Sequence, residues 1–137
     1  MSQRNRRIAA FGLLVLGLVA VALPATAAYR GGRWVLLGER SVTDKIDHDT
    51  IVVTAARGRF EKIAIRVFDR AVEFHDVKIH YGDGFVQDVE IRSVIPAEGW
   101  SRKIDLTGGR RVIRSIEFWY DAQSLGGQAT VRVFGQR

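Results

Sequence analysis

The sequence predicts an all-β fold, an antiparallel β-sandwich or jelly roll of about eight or nine short strands. Apolar and polar residues alternate with a period of two beyond residue 33, and turn residues recur roughly every 8–12 positions. No segment in this part of the chain has the apolar repeat of an amphipathic helix. Each strand is therefore expected to bury one face in a core and to expose polar side chains on the other.

The first strands are separated by clear turn residues. The first predicted strand covers residues 34–37 and ends at Gly38, and residues 40–43 can continue it past a bulge. Further strands are predicted over residues 50–54, 60–67, 72–75 and 77–81, with a turn at 55–59.

The clearest turn is Gly82-Asp83-Gly84, because Asp-Gly tolerates the positive φ angles of a tight hairpin and alternating segments flank it. The remaining strands are predicted over residues 85–91, 100–106, 112–120 and 129–134. The phase of the alternation also predicts the core. The residues expected to face inward are Ile63, Ile65, Val67, Val77, Ile79, Val89, Ile104, Ile116, Phe118, Val131 and Val133.

Residues 1–27 have the pattern of a cleavable secretory signal. Three arginines among the first seven residues precede an apolar run over residues 8–23, which Pro24 ends. Ala25-Thr26-Ala27 then supplies the small side chains that signal peptidase requires. A retained membrane anchor is the alternative, but the run is shorter than the ~20 residues of a membrane-spanning helix. The sequence thus predicts a periplasmic or secreted protein, with no integral membrane segment after processing and residues 28–137 forming one β-sandwich domain.

Charge and cysteine content narrow the possible functions. The chain has 21 Lys and Arg against 15 Asp and Glu, and three of the arginines belong to the predicted signal. This mild excess is unlike the dense basic stripe of a nucleic-acid-binding protein, so nucleic acid is not predicted as a partner. An anionic envelope surface stays open as a partner. Without cysteine, the chain has no disulfide, and its stability must come from its core.

Several short motifs of the mature chain are shared with a known family. They are Trp34-x-x-Leu37-Gly38, Tyr81-Gly82-Asp83-Gly84, Ser101-Arg102-x-Ile104-x-Leu106, Gly109-Arg110-Arg111-x-Ile113 and Ile116-x-Phe118-x-Tyr120. On these motifs the chain resembles a family of small, signal-bearing bacterial β-domains of unknown function. The resemblance implies a periplasmic or secreted β-sandwich, and it implies no activity or catalytic residue.

Two tryptophans are candidate ligand-binding residues. Trp119 is out of phase with the inward residues of its strand, and Trp100 follows Gly99 at the exit of a loop. Exposed aromatic rings in such positions stack on sugars. The alternative for each ring, which we favour, is packing in the core.

Arg102, Arg110 and Arg111 are further candidates, because they lie around the glycine turn at residues 108–109. Arginines near such a turn can bind phosphate or carboxylate in a bidentate manner. The alternative, which we favour, is ion pairing with acids on the same strands. Those acids are Asp105, Glu117 and Asp121.

The sequence offers no clear catalytic or metal site, and no cofactor is predicted. In a continuous strand, His75 and His80 point to opposite faces and cannot share a metal ion unless the strand bends at Asp76. Asp44, Asp47 and Asp49 are weak calcium candidates, although turn-forming aspartates explain them equally well. No serine lies in a Gly-x-Ser-x-Gly motif.

Together these observations predict an exported, non-enzymatic β-sandwich module that binds a glycan, an anionic envelope component or a protein partner. The alternative from a different class is a purely structural or assembly domain with no small ligand. A small hydrolase ranks third, because a domain of this size leaves little room for a deep cleft.

Processing of the signal can be tested on the exported protein. Cleavage should leave Ala28 or Tyr29 as the amino terminus, because both sites have small residues at the positions that the peptidase reads. Amino-terminal sequencing or the intact mass checks this. A membrane-bound chain that still begins at Met1 would contradict the prediction.

Overall fold

Two antiparallel β-sheets make up the structure, a computed structural model that describes residues 33–43, 47–122 and 127–137. Ten strands lie within these ranges. They are β1 (Trp34–Thr43), β2 (Asp47–Val52), β3 (Arg59–Phe60), β4 (Lys62–Phe68), β5 (Val72–Tyr81), β6 (Val86–Val89), β7 (Ser93–Ile95), β8 (Ile104–Asp105), β9 (Arg111–Ala122) and β10 (Gln128–Gln136). The predicted signal at residues 1–27 lies outside the described residues.

Each sheet joins strands that are distant in the chain. Four strands form one sheet in the order β1-β10-β4-β8. The other sheet has six strands, in the order β2-β9-β5-β6, with β3 also paired to β9 and β7 to β5. Every pairing is antiparallel, so the predicted all-β sandwich is confirmed. Within the described ranges, no helix is long and apolar enough to cross a membrane.

The strand boundaries differ from the predicted ones in several places. Strand β2 covers residues 47–52 rather than 50–54, and β7 at residues 93–95 was not predicted. Residues 72–81 form one strand rather than two. A bulge at His75 accommodates the change of phase between Phe74 and Val77, which are both buried. Residues 59–68 divide at Glu61, so that β3 pairs with β9 while β4 joins β10 in the other sheet. Of the strand predicted at residues 100–106, only the short β8 forms a ladder of more than one residue pair.

The core is a cluster of buried apolar side chains contributed by both sheets. All the residues predicted to face inward are buried, which confirms the phase assigned to the strands. Phe118 on β9 is fully buried, and its ring centroid lies 6.0 Å from that of Phe74 on the neighbouring β5. Because the chain has no cysteine, burial of these side chains is what stabilises the sandwich.

The bulge predicted in the first strand is present at Leu37. The register of β1 against β10 shifts between Leu36 and Gly38, and the extra residue, Leu37, is buried. A β-carbon added at position 38 would lie 2.5 Å from Cγ2 of Ile51 on β2. Glycine at this position therefore allows the close approach of the two strands.

A second bulge changes the expected placement of the histidines. The register of β5 against β9 shifts between Phe74 and Asp76, which makes His75 the extra residue. Phe74 and Val77 both point into the core, so His75 and His80 lie on the same outer face of the six-stranded sheet. The opposite faces expected for a regular strand do not apply here.

Truncation of Phe118 tests the core. Phe118→Ala should lower the free energy of unfolding by about 3–5 kcal/mol, because the ring is buried and its removal leaves a cavity. Val52→Ala is the matched control: Val52 is 67% exposed on β2, and its truncation should cost less than about 0.5 kcal/mol. Urea titration of both variants measures the difference. A loss below about 1 kcal/mol for Phe118→Ala would contradict the burial of this ring.

Candidate functional site

The outer surface of the four-stranded sheet carries aromatic rings and guanidinium groups side by side. Arg66 and Phe68 point outward on β4 because Val67 between them is buried, and Arg132 and Phe134 flank the buried Val133 on β10 in the same way. Trp100 lies beside β4 on the same surface. We call this set the aromatic–arginine face; it consists of Arg66, Phe68, Trp100, Arg132 and Phe134.

Trp100 is fixed by the segment around it rather than by a long strand. The Val67 N–H donates to the Gly99 carbonyl at 3.1 Å, and the Ser101 N–H donates to the Ile65 carbonyl at 2.8 Å. These two hydrogen bonds attach the backbone on both sides of Trp100 to β4. The indole ring is tilted against Phe134, with 5.1 Å between the centroids, and the residue remains 49% exposed. The ring is thus held in place while much of its surface stays open to solvent.

Two arginines of this face lie directly opposite each other. Arg66 and Arg132 are register partners on β4 and β10, and their Cζ atoms lie 4.6 and 4.7 Å from the centroid of the Phe68 ring. Nε of Arg132 donates to the Glu39 carboxylate at 2.8 Å. Arg66 lies 5.1 Å from the Trp100 ring and forms no ion pair with any described residue. The two guanidinium groups therefore share one aromatic ring, and only that of Arg132 has a carboxylate partner among the described residues.

Arg111, a predicted site residue, holds the hairpin that follows β5. Its Nη2 is 2.6 Å from Asp83 Oδ2, and its Nη1 donates to the Thr107 carbonyl at 2.9 Å. Its Cζ lies 3.8 Å from the Tyr81 ring centroid and 5.2 Å from that of Phe85. A hydrogen bond from the Phe85 N–H, followed by the charge of Arg111, holds the pKa of the Asp83 carboxyl below its usual value. Arg111 is thus a structural cation of the turn.

The other predicted arginines do not converge with Arg111 on one point. Arg110 lies 3.6 Å from the Glu61 carboxylate, and both side chains are exposed. Arg110 and Arg111 line a shallow groove of about 470 Å³, whereas Arg102 is not part of its lining. Arg102 instead donates to the Glu90 carbonyl at 3.1 Å.

The expected partners of these arginines are therefore only partly right. Arg110 and Arg111 do form ion pairs, but with Glu61 and Asp83 rather than with acids of their own strands. Asp105 pairs with Lys62 at 2.8 Å, because β8 lies beside β4 in the four-stranded sheet. Sequence proximity was a poor guide to the pairing because these ion pairs join segments distant in the chain.

Trp119 lies on the outer face of the six-stranded sheet, whereas Trp100 lies beside the four-stranded sheet. His48 covers one side of its indole, with 4.5 Å between ring centroids and 9° between planes. Nε2 of His48 and of His80 lie 2.8 and 3.2 Å from the two oxygens of Glu117. Burial opposes ionisation of Glu117, but hydrogen bonds from His80 and His48 outweigh it and lower the pKa of this carboxyl. Trp119 is therefore part of a packed polar cluster.

The aspartates proposed for calcium lie partly on a strand instead of in a loop. Asp47 and Asp49 belong to β2, and the Asp49 carboxylate accepts a hydrogen bond of 2.9 Å from the Tyr120 hydroxyl. Asp44 lies outside the described residues, so the calcium site stays a prediction. In the ranges that the structure describes, one other group offers metal-ligand atoms within 4.8 Å of one another. It consists of Glu73, His75 and Asp121.

The sequence named Trp100 as a candidate but favoured a core position for its ring, which is instead 49% exposed, and its neighbours on the aromatic–arginine face were not predicted. The signal was present, because Arg66 and Phe68 are out of phase with the inward residues of β4, as Arg132 and Phe134 are on β10. What the alternation cannot supply is the pairing of β4 with β10, which places the two pairs side by side.

Comparison with known proteins places the chain in a family. Residues 12–135 match the family described as a domain of unknown function (DUF2541). The chain belongs to this family. Membership in DUF2541 agrees with the resemblance drawn from the motifs. No curated protein gives a significant sequence match to the chain.

A solved structure of Pseudomonas aeruginosa AlgX, from a structural and functional characterization of that protein, is similar to this DUF2541 chain. The similarity has a TM-score of 0.53 and 15% sequence identity. It covers 79% of this chain but 27% of the AlgX chain. At this identity the likeness extends to the fold alone.

Arg110 and Arg111 differ in burial, so substitution of each tests which of the two stabilises the fold. Arg111→Gln should lower the free energy of unfolding by about 1–3 kcal/mol, because Arg111 is 16% exposed and loses charged hydrogen bonds. Arg110→Gln removes the same charge from an exposed, longer ion pair and should cost less than about 0.5 kcal/mol. Denaturant titration of both variants measures the effects. Equal losses would contradict the structural role of Arg111.

Proposed function

We propose that this DUF2541 protein is an exported, non-enzymatic module that binds a glycan chain across the aromatic–arginine face. The observation that carries the proposal is the exposure of Trp100. This residue is 49% exposed, although backbone hydrogen bonds of Gly99 and Ser101 hold its segment against β4. A large apolar ring on the surface leaves apolar area in water unless a ligand covers it. Sugar rings are suitable ligands, because their C–H faces pack on the apolar face of an indole.

The form of the surface supports a polymer rather than a small molecule. The aromatic–arginine face is the outside of a sheet, and its side chains come from β4, β10 and the segment before β8. Small-molecule sites are usually concave and bury most of the ligand, whereas a sheet face is open at both ends. A chain of sugars can lie along such a face and contact it through several residues at once. Binding without chemistry is the role that this arrangement serves best.

Export rests on the sequence of residues 1–27, with a basic start, an apolar run and small residues at the end of the signal. We propose that the mature domain acts in the periplasm or outside the cell, where polysaccharides of the envelope are accessible. The mild net charge of the mature chain is compatible with either location.

Trp100→Ala tests the proposed function. Affinity electrophoresis of the purified mature protein through gels that contain one soluble polysaccharide each should show retardation by at least one of them. Trp100→Ala should weaken that binding about tenfold or more, since a stacking contact of this size is worth roughly 1.4 kcal/mol.

Trp119→Ala is the matched control, because Trp119 lies on the other sheet and its ring is already stacked on His48. It should leave polysaccharide binding unchanged. Circular dichroism should show that both variants are folded. No retardation of the wild type by any polysaccharide, or equal weakening by the two variants, would overturn the proposal.

A further inference from the structure

The cross-strand pair of Arg66 and Arg132 has more positive charge than its surroundings neutralise. Like charges directly opposite each other on neighbouring strands are unfavourable, and these two residues are register partners. Both guanidinium groups lie within 4.7 Å of the same ring centroid, that of Phe68. The aromatic ring attracts both cations but adds no negative charge. The only carboxylate that a described ion pair brings to these two arginines is that of Glu39, which pairs with Arg132.

Arg66 is the member of the pair that has no anionic partner. Its side chain makes no hydrogen bond or ion pair with another described residue, and its Nε is buried without an acceptor. A buried donor without a partner costs free energy, and such groups are uncommon in native proteins. The terminal nitrogens of Arg66, which also have no described partner, are not fully buried. They can therefore receive a ligand from outside.

The Arg66 guanidinium is also held in position. Its Cζ lies 4.6 Å from the Phe68 ring and 5.1 Å from the Trp100 ring, so two aromatic side chains restrict the guanidinium. A fixed guanidinium presents two parallel N–H donors that match the two oxygens of a carboxylate. Arg111 shows the contrasting case, since its donors are already taken up by Asp83 and Thr107.

We infer that the ligand of the aromatic–arginine face is an acidic polysaccharide, whose carboxylate pairs with Arg66 while a sugar ring lies on Trp100. This inference rests on the proposed function and narrows its ligand from glycans in general to polymers of uronic-acid type. The short distance between the Arg66 guanidinium and the Trp100 ring lets one sugar, or two adjacent ones, contact both side chains. The Arg132–Glu39 ion pair beside them completes the local charge balance when the carboxylate is bound.

Polygalacturonate is the probe for this inference, and its fully methyl-esterified form is the control, because it has the same backbone without the charge. The wild type should bind polygalacturonate and should not bind the ester. Arg66→Gln should weaken binding about tenfold or more and should reduce the salt dependence of Kd between about 50 and 200 mM NaCl. Arg66→Lys keeps the charge but lacks the planar fork, so an intermediate Kd is expected and the test survives if Arg66→Gln does not fold.

Arg110→Gln is the matched control variant, since it removes an equal charge from an exposed arginine outside the aromatic–arginine face. It should leave the Kd for polygalacturonate unchanged. Equal weakening by Arg110→Gln and Arg66→Gln would mean general charge attraction and would overturn the inference. Preference for dextran sulfate over polygalacturonate would overturn the assignment of a carboxylate.

The two proposals fail in different ways. Binding of the methyl ester as tightly as polygalacturonate, with both lost in Trp100→Ala, would overturn the acidic ligand and leave glycan binding intact. Absence of binding to every polysaccharide tested would overturn the proposed function itself.

Discussion

Burial of one apolar core by two sheets is the constraint on which the other features of this domain depend. The chain has no cysteine, so no disulfide contributes to its stability. Inward positions on the long strands are consequently occupied by residues such as Ile65, Val131 and Phe118, all fully buried. Polar and charged side chains therefore occupy the outward positions. For this reason every candidate site lies on a sheet face or at a turn. The candidate sites of the domain are thus features of its surfaces.

The sequence predicted what alternation alone determines, and the structure was needed for what depends on pairing. The phase of the strands, the bulge beside Gly38 and the turn at residues 82–84 follow from local residue types. The bulge at His75 does not, because no glycine marks it and its effect is visible only in the register of β5 against β9. Likewise, the opposition of Arg66 and Arg132 exists only because β10 pairs with β4.

The two outer faces of the sandwich differ in chemistry. The four-stranded sheet presents arginines and aromatic rings, among them Arg66 and Trp100. The six-stranded sheet presents imidazoles and carboxylates beside Trp119, among them the hydrogen-bonded His48 and Glu117. On the proposal of an acidic polysaccharide as ligand, the unpaired charge of Arg66 would attract the polymer to the four-stranded sheet.

The position of β10 between β1 and β4 has a consequence for how the domain is made. β10 is the last of the described strands in chain order, yet it is internal in its sheet and pairs with both neighbours along most of its length. A ribosome releases residues 128–136 only after β1 and β4, so the four-stranded sheet cannot close while these residues are still being synthesised. Pairings of such large sequence separation also form slowly. Until β10 has been made, β1 and β4 therefore lack the strand that joins them in the finished sheet.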